Sequence, residues 1–345
     1  MLAAVGCDAT HEDPGPDADS APDGARDAEA DTADRDDEAD ADEGAAAGPV
    51  TTIIADVEVV LDRLCDLDGD GVGDNAVTDL GDPWSSVFAT AATSAIRPRW
   101  VVEGKWPLCG HVPWLERPDD AEAVLILFAG WDTDDPVDPG DDLSGDEPLY
   151  VGAESVDSCG EPLHTIRIGL HDGAIESGAA PLSLPYRPGE PFTLNMGGMT
   201  GSLDARGAME TFVCGYAPIR TLGSMGAWQD VGGEDITMLE MYLGGLAAIG
   251  IDGPGLSPDV DVDGDGLERI ALDEQLHVEL CIDGDGSTTE GRSCWQAPGM
   301  NDGFSLNLRL GGTPARLAEP RFGGPDQPDG GACDEPPESS LWDSR

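Results

Sequence analysis

The sequence predicts a mainly β fold, in which an antiparallel sheet or sandwich is accompanied by a few helices and by acidic loops. Glycine (47 residues) and proline (27 residues) are abundant, and they favour turns between short strands over a helical bundle. Short apolar runs recur between turn residues at the spacing of an antiparallel sheet. In the run HTIRIGLH, the side chains of Ile166, Ile168 and Leu170 follow the two-residue period of a half-buried strand.

The predicted elements follow one another along the chain. The run TTIIADVEVVLDRL is rich in β-branched residues and predicts a first strand, with a helix as the alternative. A helix is predicted after Pro83, with Asp82 as its cap. Strands are then predicted over RWVVEGKWP, AEAVLILFAGW, PLYVGAESV, HTIRIGLHDGAIESG, APLSLPYR, PFTLNMGGMTGSLDA and METFVCGYAPI. The run GEDITMLEMYLGGLAAIG predicts a second helix, and QLHVELCI and FSLNLRL predict the last strands.

Composition divides the chain into four segments, at residues 1–7, 8–48, 49–314 and 315–345. Residues 8–48 consist mainly of Ala, Asp, Glu, Pro and Gly, and they contain no aromatic or large aliphatic side chain. Because this segment has too little apolar surface to offset the entropy of ordering, it is predicted to be a disordered acidic tether. Residues 49–314 are predicted to form a single β-rich domain, and residues 315–345 a polar C-terminal tail.

Cys7 follows a run of small residues, Ala4-Val5-Gly6. This run resembles the lipobox of bacterial lipoproteins, a family in which the signal peptide is cut before a cysteine that then carries the lipid. The resemblance implies that residues 1–7 are the end of a truncated signal peptide and that Cys7 is lipidated, whereas the alternative is an accidental cysteine. It also implies an exported chain that meets the membrane through its lipid anchor only, at the bacterial outer membrane or cell surface. The residues alone leave the choice between inner and outer membrane open.

Seven further cysteines lie in the chain, and an exported location permits disulfides. Cys281 and Cys294 flank a short acidic, Gly-rich loop and are predicted to form a disulfide. Cys159 and Cys214 are a second candidate pair, and reduced thiols in the core are the alternative for all of them. No CxxC pair is present, which argues against a zinc ribbon or a thioredoxin-type site.

The segment CDLDGDGVGDN places acidic side chains at alternate residues and glycines between them. A calcium ion needs about six to eight oxygen ligands, and the D-x-D-x-D-G pattern supplies three carboxylates while its glycine permits a sharp turn. The predicted Ca²⁺ ligands in this first loop are Asp66, Asp68, Asp70, the carbonyl of Val72, and Asp74.

The segment DVDGDGLERI repeats the D-x-D-G-D-G pattern near the other end of the β region. The two loops are therefore predicted to lie together or at matching edges of one domain. The predicted Ca²⁺ ligands in the second loop are Asp261, Asp263, Asp265, the carbonyl of Leu267, and Asp273 (with Glu274 as the alternative to Asp273). A weaker third candidate comprises Asp283, Asp285 and Glu290. Acidic turns that face water are the alternative for every loop.

Both loops resemble the calcium loops of thrombospondin type 3 repeats and dockerin modules, which are EF-hand-like and staple extracellular chains. The resemblance covers about a dozen residues per loop, so it implies a metal and not a fold. Cys7, the acidic tether and the two loops together resemble a group of uncharacterised surface lipoproteins of Gram-negative bacteria with Asp-rich linkers. That group implies a location and calcium binding but no activity.

Charge and motifs narrow the class of function. The chain has 17 Lys+Arg against 70 Asp+Glu, a formal net charge of -53, so it is not expected to bind nucleic acid through a basic patch. Nucleophile-elbow, zinc-protease and phosphate-loop motifs are absent, so no catalytic site is predicted. The sequence predicts a calcium-stabilised, non-catalytic binding or structural module with an unidentified envelope or extracellular ligand. The alternative is a carbohydrate-binding or carbohydrate-active surface protein, because tryptophans cluster in the first half: Trp84, Trp100, Trp106, Trp114 and Trp131.

Overall fold

The computed structural model describes residues 48–62, 64–97, 108–115, 122–131, 148–187, 190–226, 236–245, 247, 253–318 and 340–343. The chain divides into two compact units, Met1–Gly44 and Ala45–Arg345, and all of the described residues belong to the second unit. The predicted lipidation site Cys7 and the predicted tether lie outside the described residues, except for Gly48, which begins the first strand.

The helices and strands are named here in chain order. They are β1 Gly48–Val59, α1 Ala76–Asp79, α2 Trp84–Arg97, β2 Leu108–Leu115, β3 Ala123–Trp131, β4 Pro148–Val151, β5 Thr165–His171, β6 Ala174–Ser177, β7 Ala180–Arg187, β8 Glu190–Leu203, β9 Met209–Pro218, α3 Ile219–Ser224, α4 Met238–Gly244, β10 Arg269–Leu272, β11 Val278–Ile282, β12 Thr288–Glu290 and β13 Gly303–Leu317.

A closed, barrel-like antiparallel sheet dominates the fold, so the prediction of a mainly β protein with a few helices is confirmed. Its strands follow the order β1, β2, β3, β5, β6, β8, β9 and β13, and β13 pairs with β1 to close the ring. Strand β7 pairs with β8, and the short β4 bridges β3 and β13. Strands β10, β11 and β12 form a separate three-stranded sheet.

Strand β5 has the alternation that its sequence predicts. Ile166, Ile168 and Leu170 are buried in the larger of two apolar clusters, while the neighbouring Thr165 and Arg167 are exposed. The two-residue period of a strand places alternate side chains on opposite faces, so this strand is half-buried.

Strand β3 is buried on both faces. Leu125 and Leu127 belong to the larger apolar cluster, whereas Ile126 and Phe128 belong to the smaller one. This double burial is the physical reason for the uninterrupted apolar run AVLILFAGW, because a strand covered on both sides needs no polar face.

The two predicted helices are present, and the second is shorter than predicted. Helix α2 begins at Trp84, directly after Pro83. Helix α4 begins at a capping box, in which Thr237 and Glu240 bond each other's backbone N–H groups. It ends after seven residues, because Gly245 takes a positive φ of 52° that does not continue a helix.

Two described segments beyond residue 314, residues 315–318 and 340–343, pack against the folded unit. Strand β13 continues to Leu317. Trp342 is 1% exposed in the smaller apolar cluster, where its ring meets that of Phe128 edge-on at 5.7 Å between centroids. Its Nε1 donates to the carbonyl of Gly160 at 2.9 Å. The last described residues therefore belong to the folded unit.

Candidate metal centre in the two acidic loops

Both acidic loops adjoin the first half of β13. The first loop, residues 66–74, follows β1, and just before it the N–H of Val60 donates to the carbonyl of Asn307 at 3.0 Å. The second loop, residues 261–267, follows Val260, which pairs with Gly303 in an isolated bridge. The loops are far apart in sequence, and β13 brings them to one region of the fold.

The two loops share one backbone conformation. Two glycines in each loop have a positive φ, at the fourth and sixth positions: Gly69 (82°), Gly71 (89°), Gly264 (78°) and Gly266 (109°). The first aspartate of each loop accepts hydrogen bonds from those same glycines, one with each oxygen. The N···O distances are 2.7 and 2.9 Å at Asp66, and 2.7 and 3.0 Å at Asp261. A repeated sequence has therefore folded into a repeated structure.

The first loop gathers Asp66, Asp68 and Asp74, whose carboxylate oxygens lie within 4.8 Å of one another. Oxygens that bind one calcium ion at about 2.4 Å are at most about 4.8 Å apart, so this spacing suits a single ion. Asp74 is 7% exposed, and its Oδ2 accepts the N–H of Leu67 at 2.6 Å. Burial raises the pKa of Asp74; the bond from Leu67 lowers it, and the charges of Asp68, Asp70 and Asp66 raise it further.

The second loop gathers Asp261, Asp263 and Asp265 within the same 4.8 Å. The side-chain amide of Asn301 donates to Asp263 Oδ2 at 2.7 Å. Desolvation raises the pKa of Asp265 to about 6, and the carboxylates of Asp263, Asp283 and Asp261 add to the effect. A cation among these groups would favour their charged forms.

Some predicted ligands are not brought into these groups. Asp70 Oδ1 accepts the N–H of Val72 at 2.7 Å, and Asp70 is exposed. Asp273 lies in the turn between β10 and β11, where its Oδ1 accepts the N–H of His277 at 2.9 Å. This hairpin turn, and not the second loop, explains the position of Asp273. The carbonyls of Val72 and Leu267 stay predicted ligands.

Asp302 supports the second loop, and the sequence did not suggest this role. In the first loop, the N–H of Leu67 at the second position is bonded by Asp74. In the second loop, the corresponding N–H of Val262 donates to Asp302 Oδ1 at 3.0 Å, and the N–H of Glu268 donates to Asp302 Oδ2 at 2.9 Å. Asp302 is fully buried and holds both ends of the second loop, as Asp74 holds the first.

Glu268 lies beneath the second loop and is 1% exposed. Its Oε1 accepts the backbone N–H of Asn301 at 2.8 Å and that of Asp302 at 3.3 Å. Burial raises the pKa of Glu268 to about 8, and the adjacent carboxyl of Asp302 contributes to this shift. A buried pair of carboxyl groups needs a proton or a cation to offset its repulsion.

The donor chemistry of this region fits a hard cation. Among the described residues, Glu268 Oε2 and Asp283 Oδ1 are buried oxygens with no hydrogen-bond partner. Asp283 comes from the third acidic segment, and its charge acts on Asp265 of the second loop. Asp285 of that segment instead accepts the N–H of Ser287 at 2.7 Å. Carboxylate oxygens without N or S ligands suit Ca²⁺, Mg²⁺ or Mn²⁺ better than Zn²⁺.

Buried polar side chains of β13 join the two loops. Asn307 Nδ2 donates to the carbonyl of Asp74 at 3.0 Å. Ser305 Oγ accepts the N–H of Ala76 at 2.7 Å, while the Ser305 hydroxyl bonds Asp259 Oδ2. Burial raises the pKa of Asp259 to about 6, the bonds from Ser305 lower it, and the charge of Asp74 is among the causes that raise it. Strand β13 therefore bonds both to the residues that end and follow the first loop and to Asp259, just before the second loop.

Each loop lies next to a disulfide. Cys65, the residue before the first loop, is bonded to Cys214 in β9. This bond corrects the candidate pairing of Cys159 with Cys214, although Cys159 is itself disulfide-bonded. Cys281 in β11 is paired with Cys294, as the sequence predicts. This bond closes the segment that carries Asp283.

Trp84 is partly buried and packs against the larger apolar cluster, as a core aromatic residue would. The other tryptophans that suggested a carbohydrate site lie outside the described residues or have side chains that are not described: Trp100, Trp106, Trp114 and Trp131.

The fold and the site together define a class of protein: a mainly β domain with two acidic loops that could each hold a metal ion. No protein-family model matches the sequence, and no curated protein or solved structure matches it either. Within the described part of the chain, no helix combines the length and apolar character that a membrane span requires.

Proposed function

We propose that this chain is an exported, calcium-stabilised binding or structural module, anchored to the bacterial envelope through a lipid on Cys7 and without catalytic activity. The observation that carries the proposal is the matched pair of loops. Each loop has the same glycine conformations, the same first aspartate and a group of three carboxylates within 4.8 Å. An acidic turn that merely faced water would not need this geometry twice.

Calcium is the proposed ion because the donors are oxygens from adjacent loop residues. Mg²⁺ requires near-ideal octahedral geometry and keeps several waters, so it is rarely held by an all-protein cage. Asp66, Asp68 and Asp74 would hold one ion, and Asp261, Asp263 and Asp265 the other. A bound ion supplies positive charge that offsets the repulsion among these carboxylates and thereby stabilises the folded state.

The proposed location and partners follow from features outside the loops. The lipobox-like run before Cys7 and the acidic segment after it support an anchored domain that is held away from the membrane. Disulfides such as Cys65–Cys214 support an oxidising compartment. An envelope or extracellular ligand, and not nucleic acid, is the proposed partner. Loss of the membrane-bound fraction in a Cys7→Ala chain would be expected, and unchanged fractionation would refute the anchor.

The experiment that tests the calcium proposal is a thermal melt of residues 49–345 in Ca²⁺ and in excess chelator, with metal analysis of the purified protein. An ion at 100 times its Kd stabilises the folded state by about 2.7 kcal/mol per site. This corresponds to a rise in Tm of roughly 4 °C per site for a domain of about 300 residues.

The variants Asp68→Ala and Asp263→Ala are each expected to lose part of that rise, and the double variant all of it. Glu122→Ala is the matched control, because Glu122 is an exposed acid outside both loops. No bound metal and no Ca²⁺-dependent shift in the wild-type chain would refute the calcium proposal. Turnover of an envelope polymer by the purified protein would refute its non-catalytic part.

A further inference from the structure

The first half of the first loop is attached to strands β8 and β9. Cys65 is bonded through its sulfur to Cys214 in β9. Leu67 lies directly against Gly197 in β8, where a Cβ on Gly197 would overlap the Leu67 side chain and lie 3.5 Å from Cys65 Sγ. The disulfide and this contact together fix the segment that carries Asp66 and Asp68.

The second half of the same loop is attached to other elements. The carbonyl of Asp74 accepts the side-chain amide of Asn307 in β13 at 3.0 Å. Asn75 caps helix α1, and its Nδ2 donates to the carbonyl of Val60 at 2.9 Å. Asp74 is therefore held by β13 and by α1, independently of the disulfide.

The group of three carboxylates is divided between these two halves. Asp66 and Asp68 belong to the disulfide-bonded half, and Asp74 belongs to the half held by β13. Two hydrogen bonds from backbone N–H groups join the halves: the N–H of Asp74 donates to the carbonyl of Cys65 at 2.7 Å, and the N–H of Leu67 donates to the side-chain Oδ2 of Asp74 at 2.6 Å. Repulsion among the carboxylates opposes these bonds whenever no cation is present.

We infer that the Cys65–Cys214 disulfide sets the cation affinity of the first loop by holding Asp66 and Asp68 in register with Asp74. The inference rests on the proposed function, since it concerns the same loop and the same ion. Without the disulfide, the first half of the loop loses its covalent attachment to β9, and the ion must reassemble the site against charge repulsion. Removal of groups that orient metal ligands typically lowers metal affinity about 10–100-fold, and we expect a decrease of this size.

The coupling is reciprocal, because a disulfide that favours the bound ion must itself be favoured by that ion. Reduction by a dithiol proceeds through two thiol–disulfide exchanges. The S–S bond between Cys65 and Cys214 breaks, both sulfurs become thiols, and the dithiol supplies two electrons and two protons as it closes into its own disulfide. Calcium is expected to lower the equilibrium constant of this reduction by the same factor as the disulfide raises calcium affinity.

The first experiment is a calorimetric Ca²⁺ titration of the full chain in a D261N/D263N background, in which only the first loop is left to bind. The affinity is compared with that of the same chain carrying C65A/C214A. A 10–100-fold weaker affinity is expected after removal of Cys65–Cys214. The matched control is C281A/C294A in the same background, which removes a disulfide that is not attached to the first loop and is expected to leave its affinity unchanged.

The second experiment needs no cysteine substitution and so does not depend on the folding of C65A/C214A. The D261N/D263N chain is equilibrated with dithiothreitol in Ca²⁺ and in chelator, and the reduced cysteines are alkylated and identified by peptide mass. Calcium is expected to protect Cys65–Cys214 and to leave Cys281–Cys294 unaffected. Equal calcium affinity with and without Cys65–Cys214 would overturn this inference and leave the proposed function standing. The same holds if Cys65–Cys214 is reduced to the same extent with and without calcium. Failure of the oxidised wild-type chain to bind Ca²⁺ would overturn the proposed function as well.

Discussion

Glu240 provides a test of how the three-stranded sheet that carries Asp283 is attached to the rest of the fold. Its carboxylate is fully buried and accepts Arg292 Nε at 2.9 Å and Arg292 Nη2 at 3.0 Å. It also accepts the N–H of Thr237 at 2.7 Å, at the start of α4, and the N–H of Val278 at 3.0 Å, in β11. One carboxylate thus connects a helix to the sheet.

The perturbation is Glu240→Gln, which keeps the shape of the side chain but removes its charge. The substitution exchanges one acceptor oxygen for an NH₂ group, so at least one buried backbone N–H loses its partner, at about 1–3 kcal/mol. It also replaces a charge-assisted pair with Arg292 by a neutral contact, at about 1.5–3 kcal/mol. Because the Arg292 side chain is 48% exposed, the smaller values of about 1 and about 1.5 kcal/mol apply, and we expect a loss of about 2.5 kcal/mol.

The stability difference between wild type and Glu240→Gln is expected to depend on pH, and the pKa of Glu240 gives the direction of that dependence. Burial alone would raise the pKa of Glu240, but the bonds from Arg292, Thr237 and Val278 outweigh it and hold the pKa below its ordinary value. A carboxyl group with a lowered pKa stabilises the folded state above its unfolded pKa, and this stabilisation is lost as pH falls through the folded pKa. The difference in stability between wild type and variant is therefore expected at pH 7 and should shrink below about pH 4.

The assay is urea unfolding of both chains at one calcium concentration, at pH 7 and at pH 3.5. A loss of about 2.5 kcal/mol would also lower Tm by roughly 4 °C in a domain of about 300 residues. The control is Glu279→Gln, the same substitution at an exposed position of β11, which is expected to change stability by less than about 0.5 kcal/mol. A Glu240→Gln chain whose stability at pH 7 lies within about 1 kcal/mol of wild type would refute the assigned role of the carboxylate.

Two further predictions concern residues that sequence reasoning missed. Asp302→Asn places an NH₂ group against the N–H of Val262 or of Glu268, so we expect the second loop to bind Ca²⁺ at least about tenfold more weakly. The affinity is measured by titration in a D66N/D68N background, in which only the second loop is left to bind. Unchanged affinity would contradict the correspondence between Asp302 and Asp74. Trp342→Ala removes a buried ring, and it is expected to cost about 3–5 kcal/mol in urea unfolding while leaving the Ca²⁺-dependent rise in Tm in place.

The sequence was sufficient for the class of fold and for the acidic loops because both depend on local patterns. Alternation predicted β5, and the D-x-D-G-D-G repeat located two loops that share one backbone conformation. The strands β2, β10 and β12 were not predicted, because the sequence LCGHVPWL contains Gly and Pro, and the other two strands are only four and three residues long.

The partners of the loops could not be predicted, because they are set by tertiary contacts. Ser305 and Asn307 alternate with apolar residues in β13, a pattern typical of a strand with one face in water. In the structure both faces of this half of β13 are buried, and its polar face lies against the acidic loops. In the same way, Asp302 follows the three-stranded sheet in sequence yet accepts the N–H of Val262 in the second loop, whereas Asp273, which is nearer in sequence, shapes a hairpin turn.

The raised pKa values around the loops predict how the metal-free protein responds to pH. Asp259 has its pKa raised from 3.8 to about 6, so the folded state binds more protons than the unfolded state between these values. Its contribution is fully present below pH 3.8 and is lost as pH rises through about 6; for this residue the loss amounts to about 3 kcal/mol. Glu268 extends the loss to about pH 8. In chelator, urea unfolding is therefore expected to show a less stable protein at pH 8 than at pH 5, a range in which Glu240 alone would give no trend. Calcium competes with the protons of the loops, so it is expected to bind more tightly at pH 8. Added calcium should therefore restore the stability that the metal-free protein lacks at pH 8. A metal-free protein whose stability is the same at both pH values would show that these carboxyl groups are not held together as described.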